Sequence, residues 1–320
     1  MTPFLVDSAA PLFVVLNASS GSQDAVAVRA IIEGVLSEAG REHRVLPVAN
    51  PTELQAIAHR TVDEARSRGG VVVAAGGDGT INAVARATLG SGCPFGVLPQ
   101  GTFNYFGRTH GIPSDTADAS RLLLTARAHP VQVGMVNDRA FLVNASLGLY
   151  PQLLEDREAY KRQFGRSRLV AFFSGLVTLL REHRQLRLLV EHQGQTRAVR
   201  TRTLFVGNNR LQLEQLGIAE APSLAEGNLV AITLRPVGTL RMLGLLARGA
   251  LGQLGEADSI DSFAFKHIVV TPAKGSSTRR VKVATDGEIV WLRAPLEFGV
   301  APEPLYLLKP ESDPAAAEPA

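Results

Sequence analysis

The chain is poor in sulfur chemistry: a single cysteine, Cys93, stands among 320 residues. No internal disulfide can form, and a reducing compartment is expected. No His or Asn arrangement near Cys93 supports a catalytic thiol, so a small core or loop residue is expected there. Long apolar runs are also scarce. The longest, "LVAFFSGLVTLL" (169–180), is too short to cross a bilayer. The opening "MTPFLVDSAAPLFVV" has no basic leader, and no signal peptide is expected. Charge of one sign is missing too, since 33 Lys and Arg against 30 Asp and Glu leave a net +3. That is not the footprint of a dedicated nucleic-acid binder, and no nucleic-acid partner is expected. Anionic ligands such as nucleotides or phospholipid headgroups remain compatible with it. There is no GxxxxGK[ST], which excludes a P-loop. No GxGxxG follows a strand, which argues against a dehydrogenase-type dinucleotide fold. No internal repeat is present.

What the chain does have is a change of texture. With 45% hydrophobic and 20% charged residues it reads as globular, and its length suits two domains. Up to residue 129, strand-like runs alternate with helical spacing. The strands are "LFVVLN" (12–17), "HRVLPV" (43–48), "VVVAA" (71–75) and "FGVLP" (95–99). Helices are expected over 25–38, over 52–69 with Thr52 as N-cap and Gly69 at its end, over 81–89 and over 115–128. Such alternation predicts an α/β domain with a parallel sheet. From 130 to 302, short runs separated by turn residues predict a β-rich domain, a sandwich. Among these runs are "AFLVNASLGL", "RAVRTRTLFVGN", "FAFKHIVVTP" and "RRVKVATDGE". Helices are expected within it over 166–182 and 237–254. The Pro-, Ala- and acid-rich tail, 311–320, is expected to be disordered.

The chemistry concentrates in "VVVAAGGDGTINAVA" (71–85). A strand ends in Gly76-Gly77-Asp78-Gly79-Thr80, and a helix is expected from Ile81. Glycines permit unusual backbone angles and let phosphate oxygens approach backbone N–H groups. A helix N-terminus adds positive potential, and Thr80 adds a hydroxyl. A carboxylate there repels phosphate unless a cation lies between, or unless it takes a proton from an attacking hydroxyl. Both roles belong to phosphoryl transfer. The alternative is a structural turn capped by the Asp78 side chain. Similar polar loops follow the first strand (Asn17, Ser19, Ser20, Gly21) and the fourth (Gly101, Thr102, Asn104). Three such loops on one sheet point to a shared nucleotide cleft.

"GGDGTINAVA" with "LPQGTFNYFGRTHGIP" resembles the catalytic domain of the diacylglycerol kinase and sphingosine kinase superfamily, nearest to bacterial soluble lipid kinases. The likeness continues through "NASSG", "NASLGLY" (144–150) and "TDGEIV" (285–290), in order along the chain. It implies an N-terminal nucleotide-binding α/β domain and a C-terminal β-sandwich, with the active site in the cleft between them. It also implies that "EPLYLLKP" (303–310) returns to the first domain. The implied cofactors are ATP and Mg²⁺, and the implied acceptor is a lipid hydroxyl such as that of diacylglycerol. Carried over residue by residue, Gly76 to Asn82, with Ile81 among them, match the nucleotide-phosphate loop, and Thr102 matches a nucleotide contact. Glu288 matches the general base, with Asp78 sharing the catalytic role. Asp286 matches a metal-side acid. Without the resemblance, Asp286-Gly287 reads as a hairpin turn.

The chain departs from the family in three places. "VLPVANPTE" lacks a threonine at the second strand's end. "SLAEGNLVAI" places Glu226 where the family's structural Mg²⁺ site has an aspartate, with Ser223 and Asn228 as further candidate ligands. The family's preceding glycine-rich strip is replaced by "NNRLQLEQLGIAEAP". An NAD kinase-like enzyme and a non-catalytic nucleotide- or lipid-binding regulator are the rival readings. With no span, a cytoplasmic enzyme meeting the anionic inner membrane face reversibly is expected, and a homodimer is left open. Two segments suit that contact, 166–184 with its flanking arginines and 237–254 with Arg241 and Arg248. Each also suits packing on the sandwich, leucine stripe inward.

Overall fold

The computed structural model describes residues 2–17, 25–148, 185–238, 257–273 and 280–311, together with 244, 245, 248, 253 and 255. The chain divides into two compact units, Met1–Val133 with Pro302–Ala320, and Gly134–Ala301. The expected helix over 166–182 and the tail beyond Glu311 lie outside the described residues, as does most of the one over 237–254.

The first unit is organised by a seven-stranded sheet in the order β1-β6-β19-β5-β4-β2-β3. The strands are β1 (Phe4–Leu5), β2 (Leu12–Asn17), β3 (His43–Val48), β4 (Val71–Gly76), β5 (Phe95–Pro99), β6 (Arg127–Val131) and β19 (Leu305–Lys309). Strands β3, β2, β4, β5 and β19 run parallel. β6, antiparallel to β19, and β1, antiparallel to β6, extend the edge beyond β19. β4 is buried at every position, which is why it reads as an unbroken apolar run rather than an alternating one. β19 comes from the far end of the chain and buries Leu305, Leu307 and Leu308 between β5 and β6.

The connecting helices are α1 (Ala25–Glu38), α2 (Leu54–Ser67), α3 (Asp78–Thr88), α4 (Tyr105–Thr109) and α5 (Thr116–Thr125). α1 packs with α5, and α2 packs with α3. Three expected boundaries are corrected. Thr52 does not cap α2: Asn50 caps a 3₁₀ turn, Pro51–Glu53, its side chain accepting from the Thr52 N–H at 3.1 Å, and α2 follows with Glu53 at its N-cap and no side-chain cap bond. The segment expected as one helix over 115–128 is α5, capped by Asp115, followed by β6. α3 starts three residues before the expected Ile81, so Asp78, Gly79 and Thr80 form its first turn. From β2 the chain steps to β3 on one side, then returns across β2 to β4 and β5 on the other. The topological switch point therefore lies between β2 and β4, where doubly wound sheets take their ligands.

The second unit is two six-stranded antiparallel sheets, ordered β11-β10-β15-β18-β7-β8 and β14-β13-β12-β9-β16-β17. The strands are β7 (Gly134–Val136), β8 (Arg139–Phe141), β9 (Asn144–Gly148), β10 (Leu186–His192), β11 (Gln195–Thr201), β12 (Thr203–Gly207) and β13 (Leu229–Leu234). They continue with β14 (Ile260–Phe265), β15 (His267–Pro272), β16 (Arg280–Thr285), β17 (Glu288–Arg293) and β18 (Leu296–Val300). Both sheets feed one core, with Phe141, Leu188, Ile268, Val270 and Phe298 from the first and Leu147, Leu204, Leu229 and Val283 from the second. "RAVRTRTLFVGN" and "FAFKHIVVTP" each read as one strand. Each is two, breaking at Arg202 and Lys266, and each crosses from one sheet to the other. A short helix, α6 (Arg210–Gln215), and a 3₁₀ segment (Ala221–Glu226) cover the outer face of β12 and β13 with Leu213, Ile218 and Ala221.

Candidate active site

In the first unit, the expected phosphate residues gather at the carboxyl ends of β2, β4 and β5. Asn17 closes β2, and its Nδ2 donates to Thr80 Oγ1 at 2.8 Å, across the switch point. Gly77 is the N-cap of α3 in extended conformation, and no side chain caps the helix. The first intrahelical bond runs from the Ile81 N–H to the Gly77 carbonyl at 3.0 Å, so the N–H groups of Gly79 and Thr80 precede it. Uncapped N–H groups at a helix start are anion donors. Ile81 and Asn82 are buried on α3. Thr102 is exposed, while Ser20 and Gly21 lie outside the described residues.

The unusual backbone angles expected of the glycines are absent. None of Gly76, Gly77, Gly79 or Gly101 has a positive φ. Their role is close approach. A Cβ on Gly76 would stand 2.6 Å from Thr80 Cβ, and one on Gly101 would stand 3.0 Å from Gly77 Cα. The β4–α3 and β5–α4 connections therefore touch backbone to backbone. Gln100 N–H reinforces this by donating to the Gly76 carbonyl at 2.9 Å. Asn104 adopts left-handed backbone angles and folds its amide back onto Gly101, accepting from its N–H at 2.9 Å and donating to its carbonyl at 2.8 Å.

Asp78 joins the two connections. Its Oδ2 accepts from the Asn104 N–H at 3.1 Å, at the start of α4. Burial holds its pKa above the ordinary carboxylate value, opposed only in part by backbone N–H groups of Asn104, Phe106, Tyr105 and Asp78 itself. The other oxygen, Oδ1, is buried without a hydrogen-bond partner. Asp78 is thus a brace for α4 with one acidic oxygen left over.

In the second unit, the β16–β17 hairpin turns on Asp286 (φ 47°) and Gly287 (φ 84°), left-handed at both central positions. That is the turn an Asp-Gly pair favours. Asp286, expected on the metal side, spends both oxygens on the backbone. Oδ2 accepts from the Leu142 N–H at 2.7 Å, and Oδ1 accepts from Val143 and Asn144 at 2.8 and 2.9 Å. Glu288 opens β17, and its Oε2 accepts from Arg139 Nη2 at 2.6 Å. Arg139, only 15% exposed, also donates from Nε to Thr285 Oγ1 at 2.9 Å. Sequence reasoning missed Arg139. It sits in the opposite sheet, 149 residues from its partner, and no spacing links the two.

Ser223, Glu226 and Asn228 do come together, but around an amide. Asn228 Nδ2 donates to the Ser223 carbonyl at 3.2 Å and to Glu226 Oε2 at 3.4 Å. The Asn228 N–H adds a further bond to the same carbonyl at 3.4 Å. Two of the oxygens expected to hold a structural Mg²⁺, the Ser223 carbonyl and Glu226 Oε2, thus accept N–H donors of Asn228. Among the described residues, no three His, Cys, Asp or Glu side chains gather as a metal site.

Residues 11–136 match the family described as "Diacylglycerol kinase catalytic domain". A Klebsiella pneumoniae protein described as "Probable lipid kinase YegS-like" is 44% identical over 79 residues, covering 24% of this chain and 27% of that relative. A Staphylococcus epidermidis protein described as a "Putative lipid kinase" is 30% identical over 249 residues, covering 73% of this chain and 74% of the relative. The match thus spans about a quarter of the first relative's length and about three quarters of the second's. Among solved structures, a "putative diacylglycerol kinase" from Bacillus anthracis superposes with a TM-score of 0.72 at 19% identity, covering 96% of this chain and 98% of that one.

Proposed function

The chain belongs to the diacylglycerol kinase superfamily, of the bacterial type, and from that footing we propose that it transfers the γ-phosphate of ATP to a lipid hydroxyl such as that of diacylglycerol. The observation that carries the reading is the uncapped N-terminus of α3 at the switch point, joined there by Asn17, Thr80 and the Gly101–Asn104 connection. Backbone N–H groups of the first turn of α3 receive the triphosphate. Asp78 fits a magnesium ion carried in with the nucleotide, because Oδ1 is a buried acidic oxygen with no partner. Bound there, the ion neutralises phosphate charge as it develops.

The acceptor hydroxyl attacks the γ-phosphorus, the bond to the bridging oxygen breaks, and ADP leaves. Glu288 takes the hydroxyl proton. Arg139 holds Oε2 of Glu288, which leaves Oε1 for that task. A second reading, a nucleotide-binding regulator without turnover, is favoured by the Asn228 amide at the expected metal site. No helix among the described residues is long and apolar enough to cross a membrane, and adsorption to the anionic cytoplasmic membrane face is the proposed route to substrate.

The test is transfer of label from γ-labelled ATP in mixed micelles of diacylglycerol, monoacylglycerol or sphingosine, with NAD as a soluble acceptor. Label should enter the organic phase, and Glu288→Gln should lower kcat with little change in the KM for ATP. Label in NAD, or ATP binding without transfer to any acceptor, would reject the lipid-kinase reading.

A further inference from the structure

We propose that the outer face of the β16–β17 hairpin is a docking surface for an anionic lipid bilayer. Strand alternation builds the face. Val281, Val283, Val290 and Leu292 belong to or pack against the sandwich core. The intervening positions turn the other way, so Arg280, Lys282 and Ala284 stand opposite Arg293, Trp291 and Ile289. Trp291 is 59% exposed, and the Lys282 ammonium lies over its ring, 5.2 Å from the centroid. Three cations and one tryptophan therefore share a patch to which neither strand contributes an acid. Glu288 alternates to the other side and is held by Arg139.

Two features of the patch are costly for the protein alone. Arg280 and Arg293 are direct cross-strand partners, and like charges in that relation destabilise a sheet. A large exposed aromatic side chain leaves apolar surface in water. Basic residues on an edge strand are explained by protection against strand addition, but that does not call for a tryptophan. An anionic bilayer relieves both costs. Its headgroups neutralise the arginine pair, and an indole is well suited to the interface between headgroup and acyl chain. α6 and the 3₁₀ segment cover the β12–β13 part of the same sheet, and Ala284 is buried beside Ser146, so the end of the hairpin away from its turn, with Arg280, Lys282, Trp291 and Arg293, is the part left for a partner among the described residues.

The lipid-kinase reading supplies the reason for a bilayer partner, but the test involves no turnover, so the two can fail separately. Trp291 is the sole tryptophan of the chain, and its fluorescence reports on this surface alone. With vesicles of equal phosphatidylglycerol and phosphatidylcholine at low salt, emission should shift to the blue and acrylamide quenching should fall. Pure phosphatidylcholine vesicles should do neither. Co-sedimentation with the anionic vesicles should weaken at least ~10-fold in Arg280→Gln/Arg293→Gln, or in wild type at high salt. Trp291→Ala should lower it as well, with the melting temperature not lowered in the arginine variant, where the like-charge pair is gone. Three outcomes overturn the assignment: no co-sedimentation, co-sedimentation with unaltered tryptophan emission, or an emission shift given by a single-stranded oligonucleotide and not by vesicles.

Discussion

At the scale of single residues, Asp78 carries two duties that substitution can separate. One oxygen anchors the start of α4, and the other has no partner. Asp78→Asn keeps the shape and an acceptor but removes the charge. Turnover should fall at least ~100-fold, the scale of a lost acid, base or charge-stabilising group, while ATP affinity falls less. Asp78→Ala removes the acceptor too and leaves the α4 N–H donors unmet. It should cost about 1–3 kcal/mol of stability on top of the lost rate. Steady-state kinetics and urea unfolding of both variants check this. An Asn variant with wild-type turnover would reduce Asp78 to a brace. Glu288 and Asp286 show the same need for side-chain detail: adjacent acids of one hairpin, the first paired with a guanidinium and the second consumed by three backbone N–H groups.

At the scale of elements, the short helix α4 is tied at both ends. Asp78 holds its start, and His110 caps its end with its ring edge-on to Phe106 at 4.8 Å. Burial, helped by repulsion from Lys309, pushes the His110 pKa down to about 3, so the folded protein holds this ring neutral. The unfolded chain protonates it below its ordinary 6.5. Stability should therefore fall as pH drops from about 6.5 towards 3, because the unfolded state binds the proton first. His110→Gln should flatten that part of the profile, read by urea midpoints across the pH range. A profile unchanged by the substitution would show that other groups govern it.

Strands and helices of the first unit were legible to the residue in several places, notably β2, α1, β3 and β5, because buried parallel strands and amphipathic helices write strong periodic signals. The breaks at Arg202 and Lys266 were not, since a chain crossing between sheets leaves no Gly or Pro behind. Within the site, the glycine loop was visible but the unusual backbone angles expected of it are not used: the Thr80 side chain packed against Gly76, and the Gly77 backbone against Gly101, leave no room for a Cβ. Arg139 was invisible because its partnership with Glu288 exists only after folding.

At the scale of the whole molecule, the two units divide the chemistry. The first takes its interior strand β19 from the far end of the chain, so its sheet is complete only when residues 305–309 are in place. It offers a helix start and a partnerless acidic oxygen, which the proposed function assigns to the phosphate donor. The second offers a guanidinium-held glutamate and, on another face, a basic patch around the sole tryptophan. The central claim is that the α3 start holds the phosphates of ATP. Gly79 tests it most directly, because a Cβ there meets nothing within 4 Å and no positive φ forbids alanine. Gly79→Ala should leave the melting temperature unchanged or raised, since alanine suits a helix better by about 0.5–1 kcal/mol. Titration calorimetry with ATP and Mg²⁺ should nevertheless show affinity at least ~10-fold weaker than wild type, a cost of about 1.4 kcal/mol, from the methyl group intruding on the phosphates. Equal affinity in a folded Gly79→Ala protein would contradict the account.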